Sequence, residues 1–287
     1  MNRIKKNITV RFFSVDAKNS FFTNFVTNFN TNKEGDSNSR IFDLRSKKHL
    51  IKINQSHDIK NTVAYSVTVV RERNTWQTKA TSDGKITGIS LNQGIIGDPY
   101  YFFLVPAKQL LLGFTSGPSG SIKSVARTML DQFSVDRQEK IKLDLIPKEK
   151  EFDALSQLPT FSNLHFRINP SSLTDITEDT PKLIKDVSEV PLINPNAQLA
   201  LDLDLNDSKD TDLTKDDVLE IISYLSDHNG CTVLKDKGVN NDGAPVSLDF
   251  GNAYITHKTE ITSRNKFIDE KSAIDSLKKA LTEYLNL

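Results

Sequence analysis

Apolar and polar positions alternate through residues 4–15, IKKNITVRFFSV, well enough to predict a first strand. Residues 20–29, SFFTNFVTNF, place Phe21, Phe22, Phe25, Val26 and Phe29 at the spacing of one helical face. That stripe predicts a core contact, because aromatics that stack on bases usually sit on strands or loops beside positive charge. A polar, glycine-containing loop over residues 30–39 comes next. Strands are then predicted near residues 41–45, 49–54, 63–71, 85–91, 100–105 and 109–115. Asp83-Gly84 signals a hairpin between two of them, since this dipeptide tolerates the positive φ of tight turns. A helix running to about Phe133 follows, capped by Ser119 or Ser121, with Ile122, Val125, Ala126, Met129 and Leu130 facing inward. Residues 140–146 read as a strand ending at Pro147.

Residues 148–161, charged and then broken by proline, are the best linker. Beyond them come a strand near 163–168, a polar stretch to Pro195 and a strictly alternating strand over 197–205. The stretch 214–230 is a helix, with Thr214 and Asp217 as a capping box and Gly230 closing its end. A strand near 246–258 and a helix from about Asp269 to Tyr284 complete the pattern. Short connections favour antiparallel pairing, because parallel strands need long crossovers. The expected fold class is α+β: a largely antiparallel N-terminal domain with packed helices over 1–150, and a smaller α+β domain over 151–287 that is a candidate for dimerisation.

Charge changes this picture more than composition does. The 37 Lys+Arg and 37 Asp+Glu cancel overall, but residues 1–150 hold 24 basic and 13 acidic side chains, and residues 151–287 the reverse. Such asymmetry suggests a basic face that meets a polyanion, or two solvated surfaces that attract each other. Residues 40–52 alone carry Arg40, Arg45, Lys47, Lys48 and Lys52. Arg71 and Arg73 lie close to Trp76, and Lys123 and Arg127 sit one and two turns into the expected helix. These nine cations are the candidate nucleic-acid contacts, of the kind that follow a phosphate backbone without reading sequence. The single cysteine, Cys231, excludes an internal disulfide. The N-terminus has basic residues but no apolar segment of a signal peptide, and no run is long enough to span a bilayer, so a cytoplasmic protein is expected.

The glycine-rich part of residues 110–133, LLLGFTSGPSGSIKSVARTMLDQF, raises the question of nucleotide hydrolysis. A phosphate loop needs Gly-x4-Gly-Lys-Ser/Thr, so that backbone amides wrap the phosphate and the lysine reaches it. Here Gly113 and Gly120 are seven apart, and Ser121 and Ile122 separate Gly120 from Lys123, so the spacing fails. Two readings survive: an ordinary strand–turn–helix joint, or an anion-binding turn in which Ser119, Gly120 and Ser121 offer amides and hydroxyls to a DNA phosphate. Residues 202–207, DLDLND, lack the glycine and the twelfth-position glutamate of a calcium loop and read as a strand with an acidic outer face. The five histidines have no metal spacing, and no acid, base and nucleophile assemble in the sequence, so neither a metal, a cofactor nor an enzymatic activity is expected.

The order of strand 100–105, turn, strand 109–115, Gly117-Pro118-Ser119, helix to 133 and apolar strand closing on Pro147 resembles the RexA-type phage-exclusion proteins. It is similar, more distantly, to the KwaB-type defence proteins. The resemblance covers roughly residues 60–170 and rests on the order of elements. It implies a cytoplasmic abortive-infection sensor that forms a homodimer, binds DNA with little sequence preference and signals to a membrane-protein partner. The expectation is therefore a non-enzymatic, sequence-nonspecific DNA-binding protein of a prophage or anti-phage defence system. The alternative is a protein-interaction module whose acidic half docks a basic partner or mimics DNA.

Overall fold

The computed structural model describes residues 4–32, 39–44, 47–73, 78–80, 86–88, 95–117, 121–135, 141–148, 158, 160–169, 173, 176, 180–189, 198–205, 213–228, 231–239, 242–249, 254–263 and 268–287. Strand β1 (Ile4–Asp16) leads into helix α1 (Asn19–Asn32), and β2 (Ser39–Leu44), β3 (Lys47–Ile59) and β4 (Thr62–Glu72) form a meander. A two-stranded ribbon, β5 (Thr78–Ala80) with β6 (Ile86–Gly88), flanks the Asp83-Gly84 turn, which itself lies outside the described residues. Strands β7 (Gly97–Val105) and β8 (Leu110–Thr115) pair through a 3-10 turn over Pro106–Lys108. Helix α2 (Ile122–Asp131) and strand β9 (Lys142–Leu145) follow. The later chain adds β10 (Thr160–Ile168), α3 (Lys182–Ser188), β11 (Leu199–Asp204), α4 (Lys215–Asp227), β12 (Cys231–Val239), β13 (Pro245–Asp249), β14 (Thr256–Ser263) and α5 (Glu270–Tyr284).

The structure is α+β with antiparallel pairing throughout its sheets. Eight strands make the larger sheet, ordered β14-β1-β8-β7-β4-β3-β2, with β9 beside the end of β1. The smaller sheet is β11-β10-β12-β13. The sheets do not follow the expected division at residue 150, because β14 and α5 return to the larger one: β14 pairs with β1 from Ile4–Ser263 to Arg11–Thr256. The strand expected over 246–258 is accordingly two strands, one in each sheet. Strand β12 and helix α3 were not evident from the apolar pattern. Most of the expected linker, 148–161, lies outside the described residues; Leu158 within it is buried.

Side chains of the larger sheet alternate between two apolar layers, as a sheet covered on both faces requires. One face carries Phe13, Val67, Val69, Tyr100, Phe102 and Leu111 against α1, α2 and the smaller sheet. The other carries Ile8, Val10, Phe12, Phe103, Leu112 and Phe114 against α5. The phenylalanine stripe of α1 is core: Phe25 packs edge-on to Tyr65 and against Phe133. Gly113 is explained by the same packing, since a Cβ there would strike the Phe102 ring. The glycine serves an aromatic neighbour rather than a phosphate. Helix α2 buries all five residues expected of it, and α4 begins with the Thr214–Asp217 capping box.

One position breaks the apolar order of the smaller sheet. Asp236 of β12 is fully buried, in register between Leu164 and Leu248. Burial raises its carboxyl from an ordinary 3.8 to about 7. A carboxyl raised in the folded state contributes its full stability below the unfolded value and loses it as pH rises through the folded value. We therefore expect Asp236→Asn to gain on the natural protein by up to a few kcal/mol as pH goes from about 4 to about 7, and to be the more stable at pH 8. Urea melts of both proteins across that range check this; parallel pH profiles would show that Asp236 is not held as a neutral acid.

Candidate nucleic-acid interface

The meander β2–β3–β4 arranges the cationic residues by strand parity. Along β3, Lys47, His49 and Ile51 share one face, and Lys48, Leu50 and Lys52 the other. Register then adds neighbours to the first face: Phe42 and Arg71 flank His49, and Arg40 lies opposite Ile51. Arg73, just beyond β4, keeps the parity of Arg71. Lys47, Arg71 and Arg73 thus converge at one corner of the sheet. Lys52 is turned away from them, and its ammonium bonds both oxygens of Glu270 on α5 at 2.9 and 2.7 Å. That pairing engages Lys52 with the acidic second half of the chain.

The corner has an acidic floor. Asp98 is buried at the start of β7, and the Arg73 guanidinium donates to its carboxylate, with Nε at 2.8 Å. Gly117 leaves room for that side chain, since a Cβ there would run into the Asp98 carboxyl. Arg71 hydrogen-bonds the Tyr100 phenol, which burial raises well above its ordinary value and so keeps protonated. Glu72 accepts from the Lys48 backbone amide at 2.9 Å. Lys47, half-buried, has its ammonium lowered to about 8, first by desolvation and then by Arg71, while Asp98 and Glu72 pull the other way. Burial and Arg71 hold His49 below its ordinary value as well.

The remaining candidates are dispersed. Arg40 is exposed on the edge strand β2 and reaches the Asn32 side chain at 3.5 Å. Lys48 is exposed on the opposite face from Lys47. Lys123 pairs with Asp144 at 3.4 Å, and Arg127 is half-buried further along α2. Arg45, Trp76, Ser119 and Gly120 lie outside the described residues.

The anion expected at the start of α2 is supplied by the protein itself. Ser121 is the N-cap, its hydroxyl accepting from the Ser124 amide at 2.9 Å. It is buried, and that hydroxyl donates to the carboxylate of Asp227, which also accepts from the Lys123 amide at 3.0 Å. Asp227 is the last residue of α4 and 2% exposed. Buried Arg11 of β1 donates through Nε to the Ser226 carbonyl at 3.0 Å, and its charge is supported by Asp227. His228 Nδ1 faces the Tyr224 carbonyl at 2.9 Å, which places a proton on Nδ1. Burial lowers the pKa of this imidazole. The turn is a joint between elements, and Ser121 is not open to a DNA phosphate.

Sequence reading missed His49, Asp98 and Tyr100 at the corner and Asp227 at the joint. Asp98-Pro99 reads as a turn marker and Asp227 carries no local signal; the register that brings them to cations is nonlocal. Among the described residues no group of His, Cys, Asp and Glu has metal-binding geometry, and no helix is long and apolar enough to cross a membrane. The sequence matches no protein-family model and no curated protein.

Truncating Asp227 withdraws the carboxylate from buried Arg11 and from the first turn of α2. Asp227→Ala is expected to cost about 1–3 kcal/mol, the range for leaving buried donors without their acceptor. Asp144→Ala, which removes an exposed partner of Lys123, should cost less than about 1 kcal/mol. Equal urea midpoints for the two variants would refute the role given to Asp227.

Proposed function

We propose that the chain binds nucleic acid without sequence preference, through phosphates held at the corner formed by Lys47, Arg71 and Arg73, with Arg40 beside it on the same face. The observation that carries this reading is the placement of Lys47, His49 and Arg71 on one face at one end of the β3–β4 pair, with Arg73 keeping the same parity just beyond. A phosphate there would restore the full charge of Lys47 and gain charge-assisted bonds. Elsewhere the acidic half offsets the basic half in part, as in Lys5–Glu260 at 2.9 Å and Lys52–Glu270 at 2.7 Å. The resemblance to RexA-type proteins supports a cytoplasmic DNA sensor in phage exclusion. The homodimer and the membrane-protein effector rest on that resemblance alone.

Fluorescence anisotropy with a labelled oligonucleotide at about 50 mM salt tests the proposal. Binding should weaken steeply with added salt, because neutralised phosphates release condensed counterions. Lys47→Gln with Arg40→Gln should lower affinity about tenfold for every sequence and reduce the salt slope by about one to two. Lys108→Gln, exposed in the turn at the far end of the β7–β8 hairpin, should bind as the natural protein does. Absence of binding at tens of micromolar protein, or an unchanged affinity in the double variant, would overturn it.

A further inference from the structure

A cavity opens on the same sheet face that carries Lys47 and Arg71. Its floor is Ile51, Ile53 and Phe133, all buried, with Phe42 as one wall. Its rim carries the amides of Asn28 and Asn32 from α1 and of Gln132 after α2, with the Arg40 guanidinium across the mouth. The cavity measures about 50 Å³. It holds more than one water, since a single water needs roughly 10–15 Å³. It can seat the edge of a ring, the remainder lying outside it.

The chemistry of the lining is specific in kind. Asparagine and glutamine amides offer a donor and an acceptor side by side, as the edge of a base requires. Arginine adds a planar fork of donors, and phenylalanine a face for stacking. Asn32 is engaged by its neighbours, donating to the Asn28 carbonyl at 2.8 Å and to the Asn28 side chain and accepting from Arg40 at 3.5 Å, so Asn28 Nδ2 and the Gln132 amide are the groups left for a ligand. The position matters equally: Arg40 and Ile51 are one register pair from Phe42 and His49, and His49 is directly paired with Arg71. Two residues along a strand span about 7 Å, so the cavity and the cationic corner are neighbours on one face.

We infer that this cavity receives one unstacked nucleobase of a single strand while the Lys47–Arg71–Arg73 corner holds the adjoining phosphate. The inference rests on the proposed phosphate corner and narrows its ligand from nucleic acid in general to single-stranded nucleic acid. Bases in a duplex are stacked and paired, and their edges do not reach a recessed floor.

The test uses the natural protein and two eight-residue strands, one with bases and one an abasic phosphodeoxyribose chain, alongside a duplex of the same length. The base-bearing strand should bind about five- to a hundredfold more tightly than the abasic strand, the factor expected for one stacked base. It should also bind more tightly than the duplex. In Asn28→Leu with Gln132→Leu that preference should fall to about twofold or less, with affinity for the abasic strand unchanged. Equal binding of the base-bearing and abasic strands would overturn the base pocket and leave the phosphate corner standing. A preference that survives in the double variant would also overturn it. Failure of all three ligands to bind at 50 mM salt would sink the phosphate corner, and the pocket with it.

Discussion

The meeting of the Asp227 carboxylate with the first turn of α2 is the contact on which the arrangement of the two sheets depends. Helix α4 ends there and α2 begins there, so the negative end of one peptide dipole faces the positive end of another. An acidic residue at the end of α4 is unfavourable in isolation. It becomes favourable because the Ser121 hydroxyl and the Lys123 amide point at it and Arg11 lies beside it. Arg11 belongs to β1, the strand that pairs with β8, β9 and β14. One buried carboxylate therefore links the larger sheet, α2 and the helix that covers the smaller sheet. Its cost in desolvation is offset by directional bonds, which fixes the pairing of these elements more narrowly than apolar burial does alone.

The return of the chain to the larger sheet has an electrostatic consequence. Strand β14 and helix α5 carry acidic side chains from the second half onto β1 and β3, where they meet Lys5 and Lys52. The opposite excesses of charge in the two halves are thus partly satisfied within the fold. That result favours, in part, the reading of two surfaces that attract each other: some of the asymmetry holds the halves together. At the β3–β4 corner, where the strands end, Lys47, His49 and Arg71 lie together on one face.

Much of this fold was legible in the sequence. The helical spacing of Phe21, Phe25 and Phe29, the inward face of α2 and the Thr214–Asp217 box are local patterns, and local patterns survive in the structure. The outward Asp202 and Asp204 of β11 likewise alternate as expected. Strand β12 was hidden because its buried position 236 holds aspartate, so the apolar alternation breaks where the core is entered. The break between β13 and β14 carries no local mark, since both segments alternate and only their partners differ. Candidate cations were legible as a set, but their sorting by face was not. Lys47 and Lys48 are sequence neighbours, yet one belongs to the corner and the other points from the opposite face. Nor does composition distinguish Asp227, a ligand of the protein's own helix, from a solvated terminus.

The energetic character of the corner supports assigning function there rather than to the more numerous exposed lysines. An exposed lysine loses nothing on folding and gains little from any one anion. Lys47 loses solvation and stands beside Arg71, so at neutral pH its charge opposes folding. That opposition is full below about 8 and disappears only as pH rises toward the ordinary value of 10.5. A neutral side chain of the same length would relieve it. Groups held against their own stability are concentrated at binding and catalytic sites, where a ligand supplies what the fold withholds. A phosphate at this corner, as proposed, would supply negative charge, and the adjoining cavity would take the uncharged part of the same ligand.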